Sequence, residues 1–360
     1  MSKFTVTYQV LGKDIKEVAE AIRVEQTIEF PFDLAPTWIQ ETVVGEIVEI
    51  KNNLVTICYD DRVTGFEISQ FLNVLWGNVS LFADVKIVDF SLSKEFLGKF
   101  KGPRFGVKGL REMFNAPSRP LLATALKPMG LAAGDLAKSA SILVEAGFDL
   151  IKDDHGLANQ PWALWKDRVE IIASAVRAAN EKFNTKAVYA PSLNLKADLK
   201  QMAHWAKSQG AGALLVLPGV SSFALLQDLA EDDELALPLM SHPSMLGSLV
   251  MNQNHGISHG LVLAKLMRLA GADISIFPNY GGRFSFSKEQ CLEIAQAASC
   301  EFGNLKPIWP APGGGMTLDR IEELVKFFGP DTMLLVGGAL HRGDLLENAK
   351  ELALRAQSLS

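Results

Sequence analysis

The sequence predicts an α/β protein, with a small α+β domain over residues 1–115 and a (β/α)8 TIM barrel over residues 116–360. Two observations predict this fold. From about Pro120 onward, eight short apolar runs alternate with amphipathic segments, and eight βα units match the unit count of a closed barrel. The first hundred residues mix strand-like and helical patterns without that alternation. A doubly wound sheet also alternates, but the count of eight favours the barrel.

The N-terminal domain is predicted to contain four strands and two helices. Phe4–Val10 alternates apolar and polar residues like a half-buried strand, and Asp14–Glu25 has apolar residues at helical spacing. The stretch Phe100–Glu112 contains several Gly and Arg residues and is predicted to be a connector. The remaining predicted elements are strands at Val43–Ile50, Leu54–Cys58 and Val85–Phe90 and a helix at Phe66–Leu75.

The apolar runs of the second domain are the predicted barrel strands, and the segments between them are the predicted outer helices. Among these helices are Ala133–Ala146 and Arg168–Phe183. The predicted strands are Leu121–Leu126, Phe148–Ile151, Ala187–Ala190, Ala213–Leu217, Leu237–Ser241, Asp273–Phe277, Pro307–Pro310 and Met333–Val336.

Composition excludes several classes of protein. Apolar residues make up 48% and charged residues 21%, which is typical of a folded chain and not of a disordered one. The net charge of −6 without a basic run argues against nucleic-acid binding and against a polybasic membrane anchor. The three cysteines lack CxxC spacing, so neither a disulfide framework nor a zinc cluster is expected. Without an N-terminal signal core or a run of about 18 apolar residues, the expected location is the cytoplasm.

Polar side chains at the carboxyl ends of the predicted strands are the first candidates for chemistry, because barrels carry their active sites there. The first strand leads to Lys127, the second to the sequence KDDH, and the fifth to His242. Residues two apart in a strand share a face, so Lys152 and Asp154 can both point inward and form a site for a hard cation. The alternatives are a solvated charge cluster for KDDH, an ordinary strand-end lysine for Lys127 and a hydrogen-bonded core histidine for His242.

Glycines after strands seven and eight predict a phosphate site. Gly313, Gly314, Gly337 and Gly338 lie in the two loops that usually hold phosphate in such barrels. Glycine lets backbone N–H groups approach an anion closely. The alternative is a pair of tight βα turns.

These motifs resemble the ribulose-bisphosphate carboxylase (RuBisCO) large-chain superfamily, and the resemblance runs essentially from end to end. RPLLATALKPMGL and AGFDLIKDDHGLANQPWALWKDR are similar to the family's first two barrel strands. NHGISHGLVLAKLMRLAGAD resembles the helix between strands five and six. The resemblance implies that Lys127 is the catalytic lysine beside the enolising carbon and that His242 is a catalytic histidine. It also implies that Lys152 becomes a carbamate by reaction with CO2 and binds Mg²⁺ or another divalent cation.

Further site residues follow from the same resemblance. Asp154 matches a metal-binding carboxylate, and His155 occupies the position of the family's third, glutamate, ligand. The glycines named above match one phosphate site. Glu25 and Asn78 match residues that complete the barrel site of a partner subunit, which implies a homodimer with shared active sites.

The departures from the family pattern argue against carboxylation. Met129 replaces a lysine, Pro243 replaces a phosphate-binding arginine, and Ile276 replaces a phosphate-site histidine. The loop NYGGRF lacks the lysine that assists CO2 addition. Magnesium prefers oxygen donors, so His155 either does not bind the cation or favours a metal that accepts nitrogen. One phosphate cradle remains and the second is lost, which is typical of the non-carboxylating branch, form IV.

The chemistry implied is proton transfer next to the ketone of a sugar phosphate, assisted by a metal ion. The substrate class that the resemblance implies is a methylthio-pentulose 1-phosphate of methionine salvage, which undergoes enolisation or isomerisation. Two alternatives remain open: a decarboxylase or C–C hydrolase of a phosphorylated 3-oxo sugar acid, and a catalytically silent binding or regulatory protein.

Overall fold

Two β-sheets organise the chain, and they confirm the predicted α+β domain and parallel barrel. The computed structural model describes residues 2–12 and 14–359. The N-terminal sheet has five strands in the order β10-β4-β1-β3-β2, and the second sheet has eight parallel strands. The strands of the N-terminal sheet are β1 (Lys3–Val10), β2 (Glu46–Lys51), β3 (Leu54–Asp60), β4 (Val85–Ser91) and β10 (Gly256–Ile257).

Buried and partly exposed residues alternate along β1, and the buried ones form part of the core of the N-terminal domain. Phe4, Val6 and Tyr8 are fully buried, and the Tyr8 hydroxyl lies 3.1 Å from the hydroxyl of Tyr59. The neighbouring strand β10 comes from the second half of the chain and runs parallel to β4, with Ile257 opposite Ile87. A two-residue strand has no readable periodicity, so the sequence did not indicate that it joins this sheet.

The barrel closes through its third and fourth strands. A parallel bridge pairs Ser192 with Leu215, and Leu193 donates to the carbonyl of Leu215 over 2.9 Å. The strand order around the barrel is β7-β6-β5-β13-β12-β11-β9-β8. The bridge connects the two ends of this series, next to β7 and β8, and so closes the barrel. The barrel strands are β5 (Leu121–Leu126), β6 (Leu150–Asp153), β7 (Val188–Ala190), β8 (Leu214–Val216), β9 (Leu239–Ser241), β11 (Ile274–Pro278), β12 (Trp309–Gly313) and β13 (Met333–Leu335).

Helices occur in both parts of the chain. In the described ranges, 2–12 and 14–359, no helix is long and apolar enough to cross a membrane. The helices are α1 (Ile15–Glu25), α2 (Thr37–Thr42), α3 (Ile68–Trp76), α4 (Lys94–Leu97), α5 (Gly106–Phe114), α6 (Ala133–Ala146), α7 (Trp165–Phe183), α8 (Leu199–Gln209), α9 (Phe223–Glu231), α10 (Gly247–Val250), α11 (Leu266–Leu269), α12 (Lys288–Ser299), α13 (Ile321–Phe328) and α14 (Leu345–Gln357).

The barrel interior is a packed apolar core that α5 covers from one end. Leu110 and Phe114 of α5 pack with inward-facing strand residues such as Leu121 and Trp309. Much of the stretch predicted as a simple connector is therefore a helix with a buried face. Its Gly106 N–H, like that of Phe105, donates to the buried Asp273 carboxylate, at 2.8 Å for Gly106. These contacts are long-range, so the local sequence pattern did not indicate them.

The seventh barrel strand lies later in the chain than Pro307–Pro310, the predicted range. β12 begins at Trp309 and extends through Pro310 and Pro312 to Gly313. Proline has no N–H to donate, and β12 pairs with β13 only at Gly313 and Leu335. The shift places Gly313 at the end of the strand, where the predicted phosphate loop begins.

Candidate active site

Strand alternation brings the predicted site residues of the first two barrel strands to one end of the barrel. Inward residues of β5 and β6 include Ala123 and Leu150, which pack in the interior. Residues further along the same faces are Lys127 on the first strand and Lys152 and Asp154 on the second, and Lys152 pairs in register with Ala125. Parallel strands end on the same side, so these groups converge at the barrel mouth.

Lys127 and Asp154 form an ion pair across the first two strands. The Lys127 ammonium donates to Asp154 Oδ2, while Asp154 Oδ1 accepts from the Gly156 N–H at 3.1 Å. Burial disfavours the charged carboxylate. The hydrogen bonds from Lys127 and Gly156 and the charges of Lys152 and Lys127 outweigh burial, and they lower the pKa of Asp154 to about 2. Asp154 is therefore an anionic oxygen donor throughout the physiological range.

Lys152 is almost fully buried beside this pair. Its side chain donates to the Asp153 carbonyl at 3.0 Å. Burial is the main reason that the pKa of Lys152 falls to about 8. The positive charge of Lys127 also lowers this pKa, whereas the negative charge of Asp154 raises it. The neutral amine, which is the form that reacts with CO2, is thus far more abundant near neutral pH than in an ordinary lysine, although it is still the minor form there.

Asp153, the residue between Lys152 and Asp154, faces away from the candidate cation site. Its carboxylate accepts from Tyr189 at 2.7 Å, from the Ser192 N–H at 3.1 Å and from the fully buried Arg168 at 3.2 Å. The reason is strand alternation, which turns Asp153 to the opposite side from Lys152 and Asp154. Asp153 instead connects β6 to β7 and α7.

The rings of His155 and His242 stack on each other. Their ring centroids lie 4.2 Å apart at an interplanar angle of 13°. His155 Nδ1 lies 3.4 Å from Asp154 Oδ1, and the Ser244 N–H donates to His242 Nδ1 at 3.2 Å. Burial and the charge of Lys152 lower the pKa of His242 to about 2, and burial also lowers the pKa of His155. Both rings are therefore neutral at pH 7, and the neutral His242 ring carries its proton on Nε2 because Nδ1 accepts.

Gly337 of the predicted glycine cradle lies beside Lys127. A Cβ added to Gly337 would lie 3.7 Å from Lys127 Cε. Gly314 has a φ of 81°, a conformation that glycine adopts readily. No described residue accepts a hydrogen bond from the N–H of Gly314 or of Gly337. Two free backbone donors next to a lysine suit an anion.

Glu25 and Asn78 come together in the N-terminal domain. Asn78 Nδ2 donates to Glu25 Oε1 at 2.8 Å. Glu25 is the last residue of α1, and Asn78 follows α3, so two helix ends present the pair. The predicted partnership of these residues with a second subunit stays a prediction.

The donor set fits a divalent cation only if Lys152 takes part. Within the part of the chain that the structure describes, no three His, Cys, Asp or Glu side chains form a metal site. Asp154 and His155 supply one oxygen and one nitrogen donor close together, and a carbamate on Lys152 would supply the missing oxygen anion. The buried amine of Lys152 and the anionic Asp154 are consistent with that role.

Sequence reasoning missed Ser244, which fixes His242. Its hydroxyl lies 2.8 Å from His242 Nδ1, and its N–H donates to the same atom. The sequence His242-Pro243-Ser244 could have indicated this contact, because a serine two residues after a strand-end histidine is within reach of the ring.

Comparison with known proteins supports the assignment made from these residues. The family model described as "Ribulose bisphosphate carboxylase large chain, catalytic domain" matches residues 106–279. The chain is 34% identical to a 5-methylthioribulose-1-phosphate isomerase of Rhodospirillum rubrum, over 94% of this chain and 91% of the relative. It is 32% identical to a 2,3-diketo-5-methylthiopentyl-1-phosphate enolase of Geobacillus thermodenitrificans, over 95% and 88%.

Solved structures agree with the fold. The crystal structure of a RuBisCO-like protein from Rhodopseudomonas palustris superposes with a TM-score of 0.88 at 34% identity, covering 99% of this chain and 98% of that one. The two relatives described above are named as an isomerase and an enolase, and neither is named as a carboxylase. Similarity over almost the whole length, together with the geometry at the barrel mouth, shows that this chain is a RuBisCO-like protein, a form IV member of the RuBisCO large-chain family.

Proposed function

We propose that the protein catalyses proton transfer next to the carbonyl of a ketose monophosphate, as an enolase or isomerase that does not fix CO2. The observation that carries this proposal is the grouping of Lys127 with Asp154, the buried Lys152 and one glycine cradle. A residue that can transfer a proton, oxygen donors for a cation and one anion site are the parts that enolisation of a sugar phosphate requires, and Lys127 has to lose its ammonium proton before it can act as the base.

Each residue has a role in this proposal. Lys127 moves the proton, and the Nε2–H of His242 serves as a hydrogen-bond donor to the substrate. Lys152, as a carbamate, holds a divalent cation together with Asp154 and His155; Mg²⁺ or a cation that accepts nitrogen would fit. When bound, the cation stabilises negative charge on the substrate oxygens. Asp154 Oδ2 now pairs with Lys127, so cation binding and this ion pair compete for the same carboxylate.

Exposed apolar residues in the loops at the barrel mouth favour a substrate that has an apolar tail in addition to its phosphate. Met129, Met245 and Phe284 are exposed large apolar residues in loops that follow β5, β9 and β11. Met129 lies over Gly156, and Phe284 lies over Gly314. We infer that the substrate is a methylthio-pentulose 1-phosphate and that the reaction belongs to methionine salvage, as the names of the two relatives suggest.

Product analysis tests this function. The purified protein, with CO2 and Mg²⁺, would be incubated separately with 5-methylthioribulose 1-phosphate, 2,3-diketo-5-methylthiopentyl 1-phosphate and ribulose 1,5-bisphosphate. We expect proton and phosphorus NMR to show conversion of one methylthio compound and no carboxylation of the bisphosphate. Conversion of the bisphosphate alone, or of none of the three, would contradict the proposal.

A bulky residue at Gly338 is expected to weaken phosphate binding without unfolding the loop. A Cβ at Gly338 meets no atom within 4 Å, so Gly338→Val adds its side chain to open space above the cradle. We expect KM for the sugar phosphate to rise at least about tenfold, the equivalent of one lost charge-assisted hydrogen bond, while the melting temperature stays the same. Gly134→Val, on the exposed side of α6, is the control. An unchanged KM in Gly338→Val would mean that phosphate binds elsewhere.

We also propose a homodimer in which Glu25 and Asn78 complete the barrel site of the second subunit. Complementation tests it: Glu25→Gln and Lys127→Met are each expected to be inactive as homodimers. Co-expressed with different affinity tags, they form hybrids in which one site has both residues. Random pairing then predicts roughly a quarter of the normal activity in the mixture, since half of the dimers are hybrids with one intact site of two. An inactive purified hybrid would contradict shared sites.

A further inference from the structure

The hydroxyl of Ser192 is a buried polar group without a partner inside the barrel. Ser192 is fully buried, and its Oγ makes no hydrogen bond to any residue in 2–12 or 14–359. The residue pairs with Leu215 in the parallel bridge that closes the barrel, and Leu215 packs in the barrel interior. Paired residues of parallel strands point to the same side, so the Ser192 side chain also faces inward.

Hydrogen bonds hold the backbone of Ser192, which lies just beyond β7, the strand that pairs with Lys152. Its N–H donates to the Asp153 carboxylate at 3.1 Å, and its carbonyl accepts from the Trp165 indole at 2.7 Å. Lys152 pairs in register with Ala190, and Ser192 is the next inward residue toward the mouth. The Lys152 amine extends in that same direction to reach the carbonyl of Asp153. The backbone of Ser192 is therefore fixed by two hydrogen bonds, while its hydroxyl has no partner among the described residues.

We propose that Ser192 Oγ is the hydrogen-bond donor that positions a carbamate on Lys152, an inference that rests on the function proposed above. In carbamate formation the neutral amine nitrogen attacks the carbon of CO2 and forms an N–C bond. One C=O electron pair moves to oxygen, and the nitrogen loses a proton to solvent. The product is an anion in a buried position. A buried anion requires donors, and the unpartnered hydroxyl beside it can supply one without any rearrangement of the backbone.

The chain provides a matched control for the loss of a buried hydroxyl. Thr124 Oγ1 is also buried without a partner among the described residues. Thr124 lies two residues from Leu122 and from Leu126, so its side chain is on the same face of β5 as theirs. Those two leucines pack in the helix-facing layer and not in the barrel interior. The Thr124 hydroxyl therefore faces away from Lys152, and Thr124→Val tests the general cost of losing such a group.

Chemical trapping of the carbamate distinguishes the possibilities. The full-length protein would be equilibrated with ¹³CO2 and Mg²⁺, alkylated with a trialkyloxonium reagent, and mapped by mass spectrometry at Lys152. We expect Ser192→Ala to raise the CO2 concentration for half-maximal labelling about tenfold, the effect of losing one charge-assisted hydrogen bond. Ser192→Thr should restore most of the affinity, and Thr124→Val should match the unsubstituted protein.

Two results would overturn the inference in different ways. Equal labelling of Ser192→Ala and the unsubstituted protein would show that Ser192 has no part in holding the carbamate, while leaving the proposed function intact. Absence of label at Lys152 in the unsubstituted protein would remove both the inference and the carbamate on which the proposed cation site depends.

Discussion

Lys127→Met is expected to lower the rate of proton transfer by about a thousandfold while leaving cation binding in place, because a positioned acid–base group contributes roughly 10²–10⁴. Methionine keeps most of the side-chain volume but cannot accept or donate the proton. The substitution also removes the partner of Asp154, so the affinity for the divalent cation should stay the same or rise.

Kinetics and calorimetry check this result together. Steady-state rates with the methylthio substrate give the loss in kcat, and isothermal titration with Mn²⁺ or Mg²⁺ in CO2-saturated buffer gives the affinity. Lys138→Met, which alters an exposed lysine of α6, is the control for removal of a positive charge. If Lys127→Met lost cation binding as well as activity, Lys127 would be organising the site and not transferring the proton.

Lys152→Met is expected to abolish both CO2-dependent cation binding and activity. A lost ligand should weaken cation affinity more than the roughly 10–100-fold typical of outer-shell changes. The folded state disfavours the charged form of Lys152, as its pKa of about 8 indicates. Methionine removes that cost at pH 7, so the melting temperature should not fall.

A second variant separates the carbamate from the positive charge of Lys152. Lys152→Arg keeps a cation at the position but cannot form the carbamate, so we expect it to be as inactive as Lys152→Met. In the unsubstituted protein, activation by CO2 should increase as pH rises from 7 to 9, because the neutral amine becomes the major form above a pKa of about 8. Activity retained by Lys152→Arg would show that charge, and not a carbamate, is what the site requires.

The sequence predicted the inward residues of the site because strand alternation is a local property. Lys152 and Asp154 are two residues apart and share a face, as their spacing indicates. The role of Asp153 could not be read in the same way. Its partners Arg168 and Tyr189 lie 15 and 36 residues away, and only the folded barrel brings them to it.

The same distinction explains what the sequence missed in the fold. The eight barrel strands were recognisable from apolar runs, but α5 and β10 depend on long-range contacts. α5 is positioned by the buried carboxylate of Asp273, more than 160 residues further along the chain. β10 is two residues long and acquires its role only by pairing with β4.

Deuterium exchange tests most directly the claim that this site transfers a proton next to a carbonyl. The protein, activated with CO2 and Mg²⁺, would be incubated in D2O with 5-methylthioribulose 1-phosphate and with the corresponding diketo compound. NMR and mass spectrometry would follow the carbon next to the carbonyl. We predict incorporation of deuterium at that carbon in one of the two, and its loss on chelation of the cation and in Lys127→Met. Exchange in neither compound, or exchange that survives both chelation and the loss of Lys127, would contradict the account.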